Sequence, residues 1–354
     1  SWRSIGESWH GRRPPSVLAP DSNALAVESG ASSSPGPTRG RTRRHYVDAM
    51  ASIVPAGQLV YGMQLPIQSQ SRIYVEPWEL DAGAGELARV ARKAESTGFF
   101  YIAVCDHVTL PAEQAERMGD VWYDTVGTLG WLAGITEQVR LLSHVYVAAY
   151  RHPLVTAKAF STLDELSGGR AILGVGAGHV EPEFERLGVD FAGRGAATDE
   201  AVDVLRSVFD GTYEDAGVGP RPRQEHLPIW IGGSSKPALR RAGARGDGWL
   251  PQGTPKKDMP DSIAYLREAR AAAGRGDDPI DIGAITGIYY VGEPTWDVGS
   301  WTTTGSGEAI AEQIRGFAEL GVNHAQIRFR SRSLDELLDQ MDAFHAEVAP
   351  HLNA

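Results

Sequence analysis

RLLSHVYVAAYRHPLVTAKAFSTLDELSGGRAILGVGAG, residues 140–178, reads as strand, helix and strand with almost no connecting loop. Leu141–Val147 carries apolar side chains on both faces, as a strand buried on both sides of a parallel sheet does. Pro153 stands at a helix start, where its missing N–H costs nothing, and Gly168-Gly169 stand where the helix closes through a left-handed residue. Leu154, Phe160, Leu163 and Leu166 keep helical spacing between them. Ala171–Val175 is a second buried strand, so the stretch is one right-handed βαβ unit.

The same grammar repeats from Leu59 onward. Strands are expected at Leu59–Gln64, Phe99–Val104, Leu141–Val147, Ala171–Val175, Pro228–Ile231, Gly248–Pro251, Ile282–Val291 and Ala325–Phe329. Helices are expected after them at Glu86–Thr97, Tyr123–Glu137, Leu154–Ser167, Ala197–Asp210, Pro237–Ala244, Asp261–Ala273, Glu308–Leu320 and Leu334–Val348. Eight alternations point to a closed (β/α)8 TIM barrel, residues 58–354, with an open doubly wound sheet as the weaker alternative. The long stretches Pro66–Leu80, Val108–Trp122 and His179–Arg194 all leave the carboxyl ends of strands, so the insertions build up the C-terminal face, where barrel active sites lie.

Residues 1–57 differ. They are rich in Pro, Ser, Gly and Arg, keep no apolar periodicity and read as a disordered N-terminal extension. The whole chain has 354 residues, 42% hydrophobic and 22% charged, with net charge −11. That charge argues against nucleic acid, whose phosphates need a basic surface, and no apolar run is long enough to span a membrane. The single cysteine, Cys105, fits a reducing cytoplasm. A small-molecule substrate is the expected partner.

Five groups of residues carry possible chemistry. Asp106-His107 follows a strand directly, so both sit at the barrel mouth; the Asp either fixes the imidazole tautomer for acid–base work or caps the loop backbone while the His packs on a neighbour. His144, His152 and His179 with that pair suggest a metal-dependent barrel hydrolase, but no HxH or HExxH spacing supports a metal, and none is expected. Gly174-Val175-Gly176-Ala177-Gly178 is GxGxG rather than GxGxxG and ends a strand inside a repeating array; its glycines are expected to let a planar ring approach the backbone. Gly232-Gly233-Ser234-Ser235 is a glycine turn into a helix, suited either to an anion or simply to a Ser cap. Arg151, Arg328 and Arg330 near strand ends are candidates for meeting an anionic group, against solvated surface charge as the alternative.

The run YRHPLVTAKAFSTLDELSGGRAILGVGAG, followed by FERLGVDFAGRG and ATDEAVDVLR, resembles the bacterial-luciferase-like oxidoreductases, most closely their coenzyme F420 (deazaflavin) dependent branch. The resemblance implies hydride transfer between reduced deazaflavin and a small organic substrate, with an FMN-dependent monooxygenase of a two-component system as the alternative. It implies Asp106 at the cofactor, His107 near the reacting carbon, and phosphate at Gly232–Ser235. It further implies a non-proline cis peptide at His144-Val145 supporting the ring over Gly176–Gly178, and a homodimer. In the sugar-phosphate dehydrogenase branch a Glu follows the glycine-rich strand end; His179 stands there instead, which argues against that substrate. His179, Arg151 and Arg330 remain the candidates for substrate contact.

Overall fold

The computed structural model describes residues 52–213 and 217–353. Among the described residues there are ten strands: β1 Val60–Gln64, β2 Tyr101–Val104, β3 Arg140–Ser143, β4 Tyr146–Val147, β5 Ala171–Gly176, β6 Ile229–Gly232, β7 Gly248–Leu250, β8 Asp281–Val291, β9 Thr302–Gly305 and β10 His324–Phe329. They pair in parallel in the order β10-β1-β2-β3-β5-β6-β7-β8, and β8 pairs with β10 to close the barrel. β4 continues β3 beyond an irregularity and pairs with β5, while β9 lies outside β8. The chain is therefore a (β/α)8 barrel.

The helices are α1 Ala84–Ser96, α2 Ala112–Met118, α3 Thr125–Ala133, α4 Pro153–Ser167, α5 Glu181–Leu187, α6 Arg194–Phe209, α7 Lys236–Arg245, α8 Met259–Ala272, α9 Gly307–Ala318 and α10 Leu334–Ala343. α4 begins on Pro153 and ends where Gly168 and Gly169 take φ of 76° and 90°, as the local sequence requires. α2 and α5 lie inside the second and third insertions. No helix among the described residues is long and apolar enough to cross a membrane.

Large inward side chains sit against glycines at the paired positions of neighbouring strands. A Cβ on Gly62 would strike the Tyr101 ring at 2.4 Å, on Gly248 the Trp230 ring at 2.3 Å, and on Gly283 the His324 ring at 2.3 Å. Tyr101, Trp230 and His324 thus fill the interior from three strands, with Trp230 stacked on His324 at 4.3 Å and 17°. The second apolar layer, formed by the outward strand faces and the helices, is continuous around the barrel.

The N-terminal extension lies, through residue 51, outside the described residues. Residues 52–57 belong with the barrel rather than with that extension. Ser52 hydroxyl and Ile53 N–H both donate to the Asp281 carboxylate at the start of β8, and Val54 is buried. Ser52–Val54 therefore pack against the barrel, because a buried carboxylate needs these donors.

Candidate active site

β2 delivers Cys105, Asp106 and His107 to the C-terminal face. Asp106 is 5% exposed and its carboxylate is fully engaged. Arg151 grips it with two bonds of 2.5 and 2.8 Å, the Val147 N–H donates at 2.8 Å, and the Thr125 hydroxyl donates at 3.2 Å. Asp106 therefore anchors the backbone of β4 rather than serving as a proton carrier. Arg151, stacked on Tyr146 at 4.2 Å, is committed to that anchor and is not placed to meet a substrate anion.

His107 turns to a different partner. Its Nδ1 lies 2.9 Å from Oε2 of Glu183, a residue of α5 that is wholly buried. Oε1 of Glu183 accepts the N–H groups of Val108 and Thr109 at 2.6 and 3.0 Å. Burial alone would raise the Glu183 pKa, but the His107 hydrogen bond and these two N–H donors outweigh it and hold the carboxyl below its usual range. An ionised Glu183 fixes the proton of His107 on Nδ1, leaving Nε2 as the atom available for chemistry. Sequence reasoning missed Glu183; the four acidic residues in 181–190 look alike until α5 folds back over the end of β2.

Two insertions complete the surroundings of His107. Trp122 packs on its ring at 4.4 Å, held there by an antiparallel bridge between Ser69 and Trp122, with Gln70 N–H donating to Val121 and Tyr123 N–H to Gln68. His179 approaches the other side at 6.0 Å. Burial and the neighbouring His107 lower the His179 pKa, favouring its neutral form. His144 and His152 do not join them: His144 is buried inside the barrel and His152 accepts the Leu154 N–H at the start of α4. The four histidines thus fail to converge on one point.

The peptide bond His144-Val145 is cis, and it separates β3 from β4. Its consequence for packing differs from the expected role of the glycines. A Cβ on Gly176 would meet Val145 at 2.4 Å, and one on Gly232 would meet it at 2.5 Å. A Cβ on Gly178, where φ is 78°, would strike the Phe184 ring at 2.7 Å. The glycines therefore admit protein side chains, and Val145 rather than bare backbone forms the floor next to Ala177 and Gly178. Above that floor the mouth is open: Ile285 lies on the inward row of β8, two residues from Gly283, yet is 45% exposed.

At the next strand end, Gly233 takes φ of 109° and the Ser235 hydroxyl accepts the Ala238 N–H at 3.4 Å, capping α7. The Ser234 hydroxyl is tied to Gln252 and Thr254. The serine side chains are thus occupied as a turn and cap, while the start of α7 remains next to Gly232 and Val145, on the same face as His107. Across the mouth, Arg330 is paired with Glu76 at 2.7 Å, so this arginine too has a carboxylate partner.

A closed parallel barrel with its polar residues gathered at the C-terminal mouth has the layout on which barrel enzymes build their active sites. The family described as luciferase-like monooxygenase matches residues 61–301, and the chain belongs to it. Among its relatives, 5,10-methylenetetrahydromethanopterin reductase of Methanopyrus kandleri is 30% identical over 226 residues, 57% of this chain and 61% of that protein. An F420-dependent secondary alcohol dehydrogenase in complex with an F420-acetone adduct shares the fold with TM-score 0.67 at 18% identity, over 83% of this chain and 99% of that one. Riboflavin lyase with modified FMN and riboflavin does so with TM-score 0.65 at 16% identity, over 83% and 91%.

Proposed function

We propose that the protein is a coenzyme F420-dependent oxidoreductase that passes a hydride between the reduced deazaflavin and a small organic substrate. Reduced deazaflavin supplies the hydride when bound. Val145, Ala177 and Gly178 floor the ring site, and the start of α7 at Gly232–Ser235 offers the helix dipole to the cofactor phosphate. Asp106 and Arg151 act indirectly, by locking β4 and with it the Val145 platform.

The observation that carries this reading is the His107–Glu183 pair at the end of β2. A hydride delivered to an uncharged acceptor leaves negative charge that must be met by a proton; His107 can supply it from Nε2 as the imidazolium, whose Nδ1 proton stays in the hydrogen bond to Glu183 while the ring becomes neutral. The F420-dependent alcohol dehydrogenase that shares the fold supports the same cofactor. FMN in a two-component monooxygenase is the second reading, favoured by the family description and the FMN-bound lyase.

Titration with F420 and with FMN separates the two. F420 is expected to bind more tightly, and tighter FMN binding rejects the assignment. Ser235→Asp is the informative variant, because Asp preserves the helix cap while adding a charge against the phosphate; a substitution at Gly233 would confound charge with left-handed strain. Affinity for the native cofactor should fall at least about tenfold, since one buried or half-buried charge contact is worth about 1.4 kcal/mol or more. We further infer a cytoplasmic homodimer joined through α3 and α4, where Val155 and Leu166 stand exposed beside an apolar groove.

A further inference from the structure

Ile67 is the one non-glycine residue with positive φ among the described residues, at 69°, and it is wholly buried. A branched side chain resists that conformation. The Gln68 N–H closes the turn by donating to the Pro66 carbonyl at 2.7 Å across Ile67, a three-residue turn of the rare, strained hand. Glu79 clamps it: one carboxylate oxygen accepts the Ile67 N–H at 2.9 Å and the other the Glu76 N–H at 3.0 Å, with Arg328 3.8 Å away. Glu79 is 2% exposed, and a carboxylate that deep is itself costly to keep. Local strain persists only where the surrounding structure over-determines it, and it gathers at functional sites.

The turn aims Gln68, a wholly buried residue bonded to both segments that frame His107. Its Oε1 accepts the Cys105 N–H at 3.3 Å, two residues before His107, and its main-chain carbonyl accepts the Tyr123 N–H at 2.9 Å, next to Trp122. Its amide nitrogen donates to the Leu65 carbonyl and to the Ser69 hydroxyl, each at 3.1 Å, which fixes how the amide is turned. Beside it, Ser69 bridges to Trp122 and the Gln70 N–H donates to the Val121 carbonyl at 3.0 Å. Gly119, at φ of 75°, admits this approach, since a Cβ there would lie 2.1 Å from the Gln70 carbonyl oxygen. The two insertions thus meet around Gln68, and the outcome is the 4.4 Å contact between the Trp122 and His107 rings.

We propose that Gln68 is a positioning residue for His107. Aimed by the left-handed turn at Ile67, it holds the strand end that carries the imidazole and the insertion that carries Trp122 at a fixed separation. The hydrogen bond to Glu183 leaves the imidazole free to swing about Nδ1; the indole packed on the ring removes that freedom and fixes where Nε2 points. The inference rests on the reading that His107 is the acid, but not on which cofactor binds.

Proton–carbon spectra of the full chain, labelled with carbon-13 at histidine Cε1, test it without cofactor or substrate. The His107 Hε1 resonance, identified by its loss in His107→Gln, is displaced by the indole ring current, and Trp122→Leu marks its position without the indole. Gln68→Met keeps the side-chain volume and removes both hydrogen-bonding ends, so it is expected to shift the resonance most of the way to that mark. Glu79→Gln turns an NH2 toward one of the two N–H groups and should shift it the same way by less; it decides the matter where Gln68→Met fails to fold. A resonance that stays in place in the folded variant, even with a lowered melting temperature, makes Gln68 merely structural and overturns the proposal. So does a Trp122→Leu resonance that coincides with the wild type. Turnover unaffected by His107→Ala rejects the acid reading alone.

Discussion

His107 and Glu183 divide the work at the reacting end, and their variants should separate accordingly. His107→Ala is expected to lower turnover about 10²–10⁴-fold, as loss of a general acid does, with F420 affinity nearly unchanged. Glu183→Gln should reduce kcat while sparing cofactor affinity, since the amide no longer fixes the imidazole by charge; equal loss of both would make Glu183 merely structural. Asp106→Ala should behave differently, abolishing cofactor binding and destabilising the fold by about 3 kcal/mol, because Arg151 is left half-buried without its partner. Inside the barrel, burial depresses His144 to about 4 and His324 to about 3 from 6.5. The unfolded chain takes up these protons first, so the stability they contribute is complete above pH 6.5 and declines as the pH falls toward 4. Thermal melts should show that decline, and His324→Phe, which keeps a ring against Trp230, should flatten it.

Among the elements, the segment Ser52–Val54 behaves as part of the barrel. Removing residues 1–51 is expected to leave the melting temperature and cofactor affinity unchanged. Removal through residue 57 takes away two donors to Asp281 and the buried Val54, and should cost about 2 kcal/mol or more in denaturant melts. Equal stability of the two truncations would show that Asp281 finds other partners. The first two insertions likewise act as one element, since the Ser69–Trp122 bridge places the indole on His107. Their pairing joins residues more than fifty positions apart, and neither insertion carries a periodic pattern that announces it.

For the whole molecule, α3 and α4 present Trp131, Val155 and Leu166 on an outer face with an apolar groove between them. Light scattering should report a dimer, and the double variant Val155→Glu with Leu166→Glu should be a monomer that retains cofactor binding. A monomeric wild type rejects this arrangement. The barrel itself was readable because each strand and helix repeats a local rule. Leu141, Phe160 and Leu173 are buried by periodicity, while Pro153, Gly168 and Ser333 mark helix ends through their own backbone preferences.

The sequence by itself determined the alternation, the closed barrel, the face on which the site lies and the position of Asp106-His107 at a strand end, since each follows from side chains close together in the chain. Tertiary structure alone decided the partners. Which carboxylate His107 meets, that Val145 fills the space left by Gly176 and Gly232, and that every strand-end arginine is already paired depend on where separate loops converge. An isolated Glu or Arg in a sequence is indistinguishable from surface charge; only the folded chain withdraws one from water and sets it against another.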